Sequence, residues 1–343
     1  MGASEMSLNW SQLGFHYLPT NGYVQADYAD GRWGPLVVKT DPPYLSLHIA
    51  ANCLHYGQAC FEGQKAFNTR DNGVVIFRPQ ENARRLQLSA DRLCMQAPSE
   101  EMFLEACMLA VKINREFVPP YGSGASLYVR PVLIGTEPMV GINASSTYTF
   151  IVLVTPVGPY YKHGFKPVEA IIIDEYDRAA PEGTGRAKAA GNYAASLKPD
   201  KIAHEQGFPI VLFTDPREHR YVDEFGTSNF IGITPAGEYK TPDSSSVLQS
   251  ITNKSLQVLA ADLGLTVRHE RIPVTELNQF SEIGSCGTAS VITPVHAVHY
   301  HDRVFRFGQP DTPGEVLTKL YRQLQGTQYG DVPDIHHWLT EVK

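Results

Sequence analysis

The 343-residue sequence predicts an α+β or α/β protein built as two domains. Three observations carry that expectation. At about 150 residues per domain, the length has room for roughly two cores. Hydrophobic residues make up 43% and charged residues 19% of the chain, the balance of a folded globular protein rather than a disordered one. Apolar runs of strand length also interleave with segments of helical spacing in both halves, and a Gly/Pro/Tyr-rich break, "VGPYYKHGFKP" (157–167), separates those halves. Two such halves imply a cleft where a small ligand sits.

The elements follow in order. "VVIFRP" (74–79) is a strand, and "ENARRLQLSADRLCM" (81–95) carries Leu86, Ala90 and Leu93 at helical spacing. "SEEMFLEACMLAVKINREF" (99–117) has Ser99 as N-cap, acids in its first turn, and Phe103, Ala106, Cys107 and Ala110 on one side. "SLYVRPVLIG" (126–135) and "YTFIVLVTPVG" (148–158) are strands, the second buried on both faces. Beyond the break, "EAIIIDE" (169–175), "IVLFT" (210–214) and "NFIGIT" (229–234) are strands. "TNKSLQVLAADLG" (252–264) is a helix with Thr252 as N-cap, Leu256, Leu259, Ala260 and Leu263 as its apolar stripe, and Gly264 closing it.

Several function classes are disfavoured. Lys+Arg at 29 against Asp+Glu at 36 gives a net charge of −7, which does not favour nucleic acid or an anionic membrane as main partner. No apolar run approaches the ~18 residues of a membrane span. The start lacks the pattern of a secretory or transit leader, and Met6 breaks the acylation pattern of "MGASEM". Cys53, Cys60, Cys94, Cys107 and Cys286 are odd in number without a C-x-x-C pair, so reduced thiols in a cytoplasmic protein are expected. In "VHAVHYHDR" a strand sends His299 and His301 to one face and His296 to the other, short of the three or four converging ligands of a zinc site, so no metal is expected. "IHHWL" (335–339) reads as part of a terminal helix.

The chemistry centres on "GRAKAAGNYAASL" (185–197), where Lys188 stands among small residues. A lysine nucleophile must lose its proton part of the time, which burial promotes, and small neighbours admit a bulky planar group. The plain alternative is a helix start whose lysine faces water. "YVDEFGTSNFIGIT" (221–234) places Asp223 and Glu224 in an otherwise apolar strand; alternation turns one of them inward, where it needs a partner such as a protonated pyridine nitrogen. The alternative there is a solvated turn. "GSCGTAS" (284–290) offers backbone N–H groups and the Thr288 hydroxyl to an anion, and "QSITNKSL" (249–256) opens a helix whose N-terminus suits a phosphate. Neither a nucleotide-binding phosphate loop nor a full dinucleotide fingerprint is present.

Together, from "LHYGQACFEGQKAF" (54–67) to "GTASVITPV" (287–295), these blocks resemble in order and spacing the branched-chain amino-acid aminotransferases, pyridoxal 5'-phosphate enzymes of fold type IV. The resemblance implies a homodimer with a smaller N-terminal domain (1–156), an interdomain loop (157–167) and a larger C-terminal domain (168–343) carrying the cofactor lysine, with the cofactor in the cleft between the domains. By the same resemblance, Lys188 matches the lysine that carries the cofactor and Tyr193 the tyrosine beside its ring. Glu224 matches the acid at the pyridine nitrogen, and Arg85, rather than Arg84, the arginine on the phosphate. Ile251 and Thr252 match its backbone donors and Thr288 its hydroxyl donor. Ala289 matches a backbone donor to the substrate carboxylate, and Tyr56 the tyrosine near it. Phe61, Tyr128 and Thr227 resemble pocket walls, and Arg130 the receiver of a second carboxylate. Val157, on the linker, resembles a residue of the partner subunit's pocket.

Two departures stand out. The family's phosphate helix usually opens Leu-Pro-Gly with a later arginine, where this chain has Gln249, Ser250 and Asn253. Ser290 and Thr293 replace the C-x-x-C of the mammalian enzymes. The implied reaction passes the amino group of leucine, isoleucine or valine to 2-oxoglutarate, with Lys188 moving the α-proton. An apolar pocket accepts all three, since one methylene is worth only about 1–3 kcal/mol. D-amino-acid aminotransferases and aminodeoxychorismate lyases share the fold but usually lack G-N-Y after the lysine. A non-catalytic pyridoxal-phosphate carrier would need Lys188 but not Arg130.

Overall fold

The computed structural model describes residues 8–158 and 164–343, so part of the expected connector lies outside the described residues. The chain divides into two compact units. One comprises Met1–Tyr160, Ala187–Gly191 and Gly326–Lys343, and the other Tyr161–Arg186 and Asn192–Gln325. The short segment holding Lys188 and the chain's end thus group with the N-terminal unit, a departure from a plain two-part split.

The first unit is a nine-stranded antiparallel sheet with helices packed on it. Its strands are β1 (Tyr23–Ala29), β2 (Arg32–Trp33), β3 (Val37–Lys39), β4 (Ala59–Phe61), β5 (Gln64–Asn68), β6 (Val74–Phe77), β7 (Ser126–Gly135) and β8 (Tyr148–Val157), with Leu339–Glu341 at one edge beside β6. The β7–β8 hairpin runs from Ser126 opposite Val157 to Gly135 opposite Tyr148. β8 is buried at nearly every position, as its unbroken apolar run predicts. Helices α1 (Asn52–Tyr56), α2 (Pro79–Arg92) and α3 (Glu100–Ile113) complete the unit. Ser99 caps α3 as expected, its hydroxyl accepting the Met102 N–H at 3.2 Å. Phe103, Ala106, Cys107 and Ala110 of α3 join Leu86 of α2 and Phe150 of β8 in one core. Emptying the Phe103 site would cost about 3–5 kcal/mol.

"IHHWL" is not helical. Asp334 accepts the N–H groups of Trp338 and Leu339 at 3.0 and 2.8 Å, closing a turn that feeds the edge strand. A short acidic side chain that captures its own backbone competes with helix formation.

The second unit holds β9 (Val168–Ile172), β10 (Ile210–Thr214), β11 (Val222–Phe225), β12 (Ser228–Ile233), β13 (Glu238–Pro242), β14 (Thr266–Glu270), β15 (Glu282–Gly287), β16 (Val291–Tyr300) and β17 (Arg303–Arg306). Pairing runs β11-β10-β9-β16-β15-β12, and β12 pairs back to β11, which closes a barrel. β9 lies parallel to β10 and β16, so the barrel is mixed rather than purely antiparallel. Leu212, Phe230, Phe280, Ile283, Val295 and Val298 share its main apolar cluster. Helix α5 (Ile251–Asp262) lies in this unit, whereas α4 (Ala190–Glu205) and α6 (Glu315–Tyr329) straddle the division.

Two local expectations change here. Ser250, not Thr252, caps α5, accepting the Asn253 N–H at 3.2 Å, so the helix opens two residues earlier. The pairing of β16 with β9 slips between Val295 and Ala297. A bulge puts alternation out of step, and so His296 and His299 both reach Glu169, at 3.6 and 2.8 Å. His301, past the strand with φ 50°, meets Asp174 instead.

Candidate active site

Lys188 lies two residues before α4, and its backbone is pinned to the first unit. Its N–H donates to the Ser89 hydroxyl at 2.9 Å, and its carbonyl accepts the Phe61 N–H at 3.2 Å. Ala189 bridges to Cys60 beside it. The side chain is half-buried, and its amine stands 4.8 Å from the Phe61 ring centroid. The reading of a helical lysine facing water therefore does not hold: the residue ends a turn ahead of α4, and its carbonyl is bonded to β4.

The same ring carries a second cation. Arg130, on β7, places its guanidinium 4.6 Å from Phe61 and 5.1 Å from Tyr128, and donates to the Tyr128 hydroxyl at 3.2 Å. Its Nε is buried with no hydrogen-bond partner among the described residues. Gly63 makes room for Tyr128, because a Cβ there would lie 2.0 Å from the Tyr128 hydroxyl. Phe61, Tyr128, Arg130 and Lys188 are therefore brought together, an aromatic corner with two positive groups. Lys65, on β5 opposite Tyr128, is buried within the sheet, and burial pushes its ammonium down to about 8. Tyr56 ends α1, 41% exposed, its hydroxyl donating to the Val140 carbonyl. Val157 is the last residue of β8 and buried, not a linker residue, because the apolar run of that strand carries through it.

Arg85 is buried on α2 and bound by a residue the sequence reading missed. Its Nε and Nη2 donate to the two oxygens of Glu62 at 2.8 and 2.7 Å. Glu62 is wholly buried and also accepts from Asn82 at 2.7 Å. A carboxylate inside the apolar stretch "ACFEGQKAF" was the available signal, since a buried charge needs a partner. Arg84 lies outside, paired with Glu81 at 3.0 Å.

In the second unit both acids of β11 are buried, so the solvated-turn alternative falls, and alternation does not leave one of them in water. Glu224 accepts the Leu248 N–H at 2.9 Å, the Asn229 amide at 2.7 Å and the Arg178 guanidinium at 2.8 Å. Burial pushes its carboxyl above the usual range, against the opposing pull of Arg178 and these hydrogen bonds. Asp223 accepts from the Ser246 hydroxyl, and its other oxygen is buried without a partner among the described residues. Asn229 welds the acid to the start of α5, its carbonyl oxygen accepting from the Asn253 amide at 3.1 Å and the Ser250 N–H at 3.4 Å. Ile251 and Thr252 form the first turn of α5, both buried.

Thr288 and Ala289 lie in the turn that joins β15 to β16. Thr227, exposed at the β11–β12 turn, is their neighbour, since a Cβ on Gly287 would come within 3.7 Å of its carbonyl. Tyr193 is half-buried in the first turn of α4, and its carbonyl accepts from Ser196 at 3.0 Å. Sequence reasoning passed over Arg178 and Asn229. An arginine amid the small residues of "YDRAAP" and an asparagine inside a strand were the only signals.

The model of the amino-transferase class IV family matches residues 59–298. A branched-chain-amino-acid aminotransferase of Haemophilus influenzae is 42% identical over 342 residues, covering 98% of this chain and 99% of that protein. Its Helicobacter pylori counterpart is 44% identical over 340 residues, covering 98% of each. Among solved structures, the branched-chain amino acid aminotransferase of Escherichia coli superposes with a TM-score of 0.78 at 26% identity, covering 95% of this chain and all of that one.

Proposed function

The chain belongs to the amino-transferase class IV family, and from that premise we propose how its residues share out the transamination of branched-chain amino acids. It is a transferase acting on leucine, isoleucine and valine. Lys188 is its catalytic amine. The observation that supports this most is the amine held 4.8 Å over the Phe61 ring beside Arg130, on a backbone fixed at both its N–H and its carbonyl.

The residues present fit pyridoxal 5'-phosphate. Oε2 of buried Glu224 accepts one hydrogen bond, from Asn229, and has capacity for a second donor such as a protonated ring nitrogen. The capped first turn of α5 presents N–H groups suited to a phosphate. Arg85, Ile251, Thr252 and Thr288 would hold the phosphate, Glu224 the ring nitrogen, and Tyr193 the ring's polar edge. When bound, the cofactor supplies an electron sink for the substrate's α-carbon. Lys188 takes the proton from that carbon and later returns one. Ala289 and Tyr56 hold the α-carboxylate, while Phe61, Tyr128 and Thr227 shape an apolar wall. Arg130 receives the second carboxylate of 2-oxoglutarate, the amino acceptor of the second half, and of glutamate, its product.

Lys188→Ala is expected to abolish turnover yet retain pyridoxal phosphate through the phosphate contacts. An absorbance spectrum taken before and after leucine and 2-oxoglutarate reads both properties. Wild-type protein that binds cofactor without converting leucine would make the chain a carrier, and full turnover in Lys188→Ala would remove the lysine from its role.

We also place the enzyme in the cytoplasm as a homodimer. The five free thiols suit a reducing compartment. Tyr44, Ile49, Leu54, Val140 and Ile142 are each more than 60% exposed, an apolar surface that a second copy would cover. By the family resemblance, Val157 is assigned to the partner subunit's pocket, and sedimentation of the purified protein tests the assembly.

A further inference from the structure

We propose that Arg178 is the positioning residue of this site, holding Glu224 in place as an anion while tying the turn before Lys188 to the loop that enters α5. The inference rests on the reading of Glu224 as the partner of the ring nitrogen.

Three separate stretches converge on one buried guanidinium. Nη2 of Arg178, only 7% exposed, pairs with Glu224 Oε1 at 2.8 Å and donates to the Gly185 carbonyl at 3.3 Å and to the Ser246 carbonyl. The two backbone partners touch each other. A Cβ on Gly185 would lie 2.6 Å from Ser246 Cα and 2.8 Å from its carbonyl oxygen, an approach that any side chain would block. Next to Gly185, the Thr184 hydroxyl donates to Asn192 at 2.6 Å and the Asn192 amide returns a bond to the Thr184 carbonyl at 2.7 Å. That exchange clamps the turn to the start of α4.

The loop from Ser246 to Leu248 serves both members of the pair. Ser246 gives its carbonyl to Arg178, and Leu248 gives its N–H to Glu224 Oε1 at 2.9 Å. Moving the arginine would therefore disturb the orientation of the acid and the approach to α5 together. The charge is needed as well. Asp223 and Glu224 are adjacent and both nearly inaccessible, and two carboxylates cannot both stay ionised in such a place without a cation. The charged or titratable groups acting on Glu224 are Arg178, Asp223 and, from β15, Cys286. Asp215 bears on Asp223 in turn. Arg178 is the cation among them, and its one Nη2 group meets all three acceptors, while its Nε is buried without a partner among the described residues.

Two variants separate charge from anchoring. Arg178→Gln keeps an amide donor for the carbonyls but removes the charge, and Arg178→Lys keeps the charge but loses the planar Nη2 group that meets the two carbonyls and the carboxylate. Both are prepared as apoprotein with carbon-13-labelled glutamate, and the carboxyl titration of Glu224 is followed by NMR, assigned by its loss in Glu224→Gln. In Arg178→Gln the titration should move up by at least ~1 pH unit, a tenfold weaker acid, because a carboxylate stripped of its cation takes a proton. Arg178→Lys should move it much less, while its pyridoxal phosphate affinity falls, because orientation is lost. If Arg178→Gln does not fold, the Lys variant still decides through affinity. An unmoved Glu224 titration in Arg178→Gln, or wild-type affinity in Arg178→Lys, overturns the proposal.

The underlying reading is checked apart, by comparing wild type and Glu224→Gln for pyridoxal phosphate against an analogue with carbon in place of the ring nitrogen. Wild type should prefer the nitrogen ring and Glu224→Gln should lose that preference. An unchanged preference would remove Glu224 from the ring nitrogen and leave Arg178 as a structural ion pair only.

Discussion

The two units each bury an arginine–glutamate pair, and the pairs are built in opposite senses. In the first unit Glu62 gives both oxygens to Arg85 and takes Asn82 as well, so the carboxylate is the support and the arginine is what it presents. In the second, Arg178 braces itself on the carbonyls of Gly185 and Ser246 while Glu224 collects Arg178, Leu248 and Asn229, so the arginine is the support and the carboxylate is presented. One presented group suits an anion, the other a cation. A buried ion pair by itself says little about stability, because desolvation offsets much of the attraction. What informs is which partner has spent its bonds on the other.

Breaking the first pair should have the largest effect. Glu62→Ala leaves Arg85 buried without its carboxylate, a change that costs about 3–5 kcal/mol. Urea unfolding of the apoprotein should register that loss, and pyridoxal phosphate affinity should fall with it. Near wild-type stability would mean that Arg85 finds other partners and that Glu62 does not orient it.

Breaking the second pair should act on chemistry more than on stability. Glu224→Gln keeps the shape and accepts the Leu248 N–H, but a neutral amide cannot favour a protonated ring nitrogen. A loss of roughly 10²–10³-fold in the leucine half-reaction is expected, the range seen when one preorganised electrostatic partner is removed. A shifted cofactor spectrum should accompany it. Rate and spectrum near wild type would hand the role to Asp223 or to no acid at all.

The contrast also explains what could be read in advance. Strands such as Ser126–Gly135 and Tyr148–Val157 were legible because apolar runs report burial directly. So was the Ser99 cap, whose signal lies within three residues of its partner. Both presented groups, Arg85 and Glu224, were singled out as candidates through the family resemblance of the motifs around them. Their supports were not all equally hidden: Glu62 lies beside Phe61 in a quoted motif, whereas Arg178 is distant in sequence from Glu224 and is joined to it only by folding. The slip in β16 and the Asp334 turn were missed for a related reason, because each turns on one side chain or one register step that periodicity does not record.

A smaller effect should sharpen the aromatic corner of the first unit. Arg130 shares the Phe61 ring with Lys188 and has a buried Nε without a partner among the described residues, so a carboxylate arriving there would complete its bonding. Arg130→Met should weaken glutamate and 2-oxoglutarate by about 2–3 kcal/mol in specificity, the worth of hydrogen bonds to a charged group. Leucine's half-reaction should change much less. Equal losses for leucine and glutamate would make Arg130 structural and turn attention to Lys65.

The smallest effect is expected from oxidation, and it tests whether either unit carries a reactive thiol near its presented group. Cys60 lies next to Phe61 in the first unit, and burial pushes its thiol up to about 12. Cys286, two residues before Thr288 in the second, is fully buried and also driven up by burial and by Glu224 nearby. Peroxide attacks the thiolate, so raised and inaccessible thiols react slowly. Cys94 is exposed but stands on the turn after α2, and Cys53 is half-buried in α1 with its thiol also raised. Ser290 and Thr293 hold the places where the mammalian enzymes have their thiol pair. Mild peroxide should therefore change leucine transamination by less than about twofold, a fraction of the 1.4 kcal/mol that a tenfold change represents. Inactivation that dithiothreitol reverses would show that Cys286 or Cys60 opens to solvent, and with it that one of the two buried pairs is more mobile than its bonding implies.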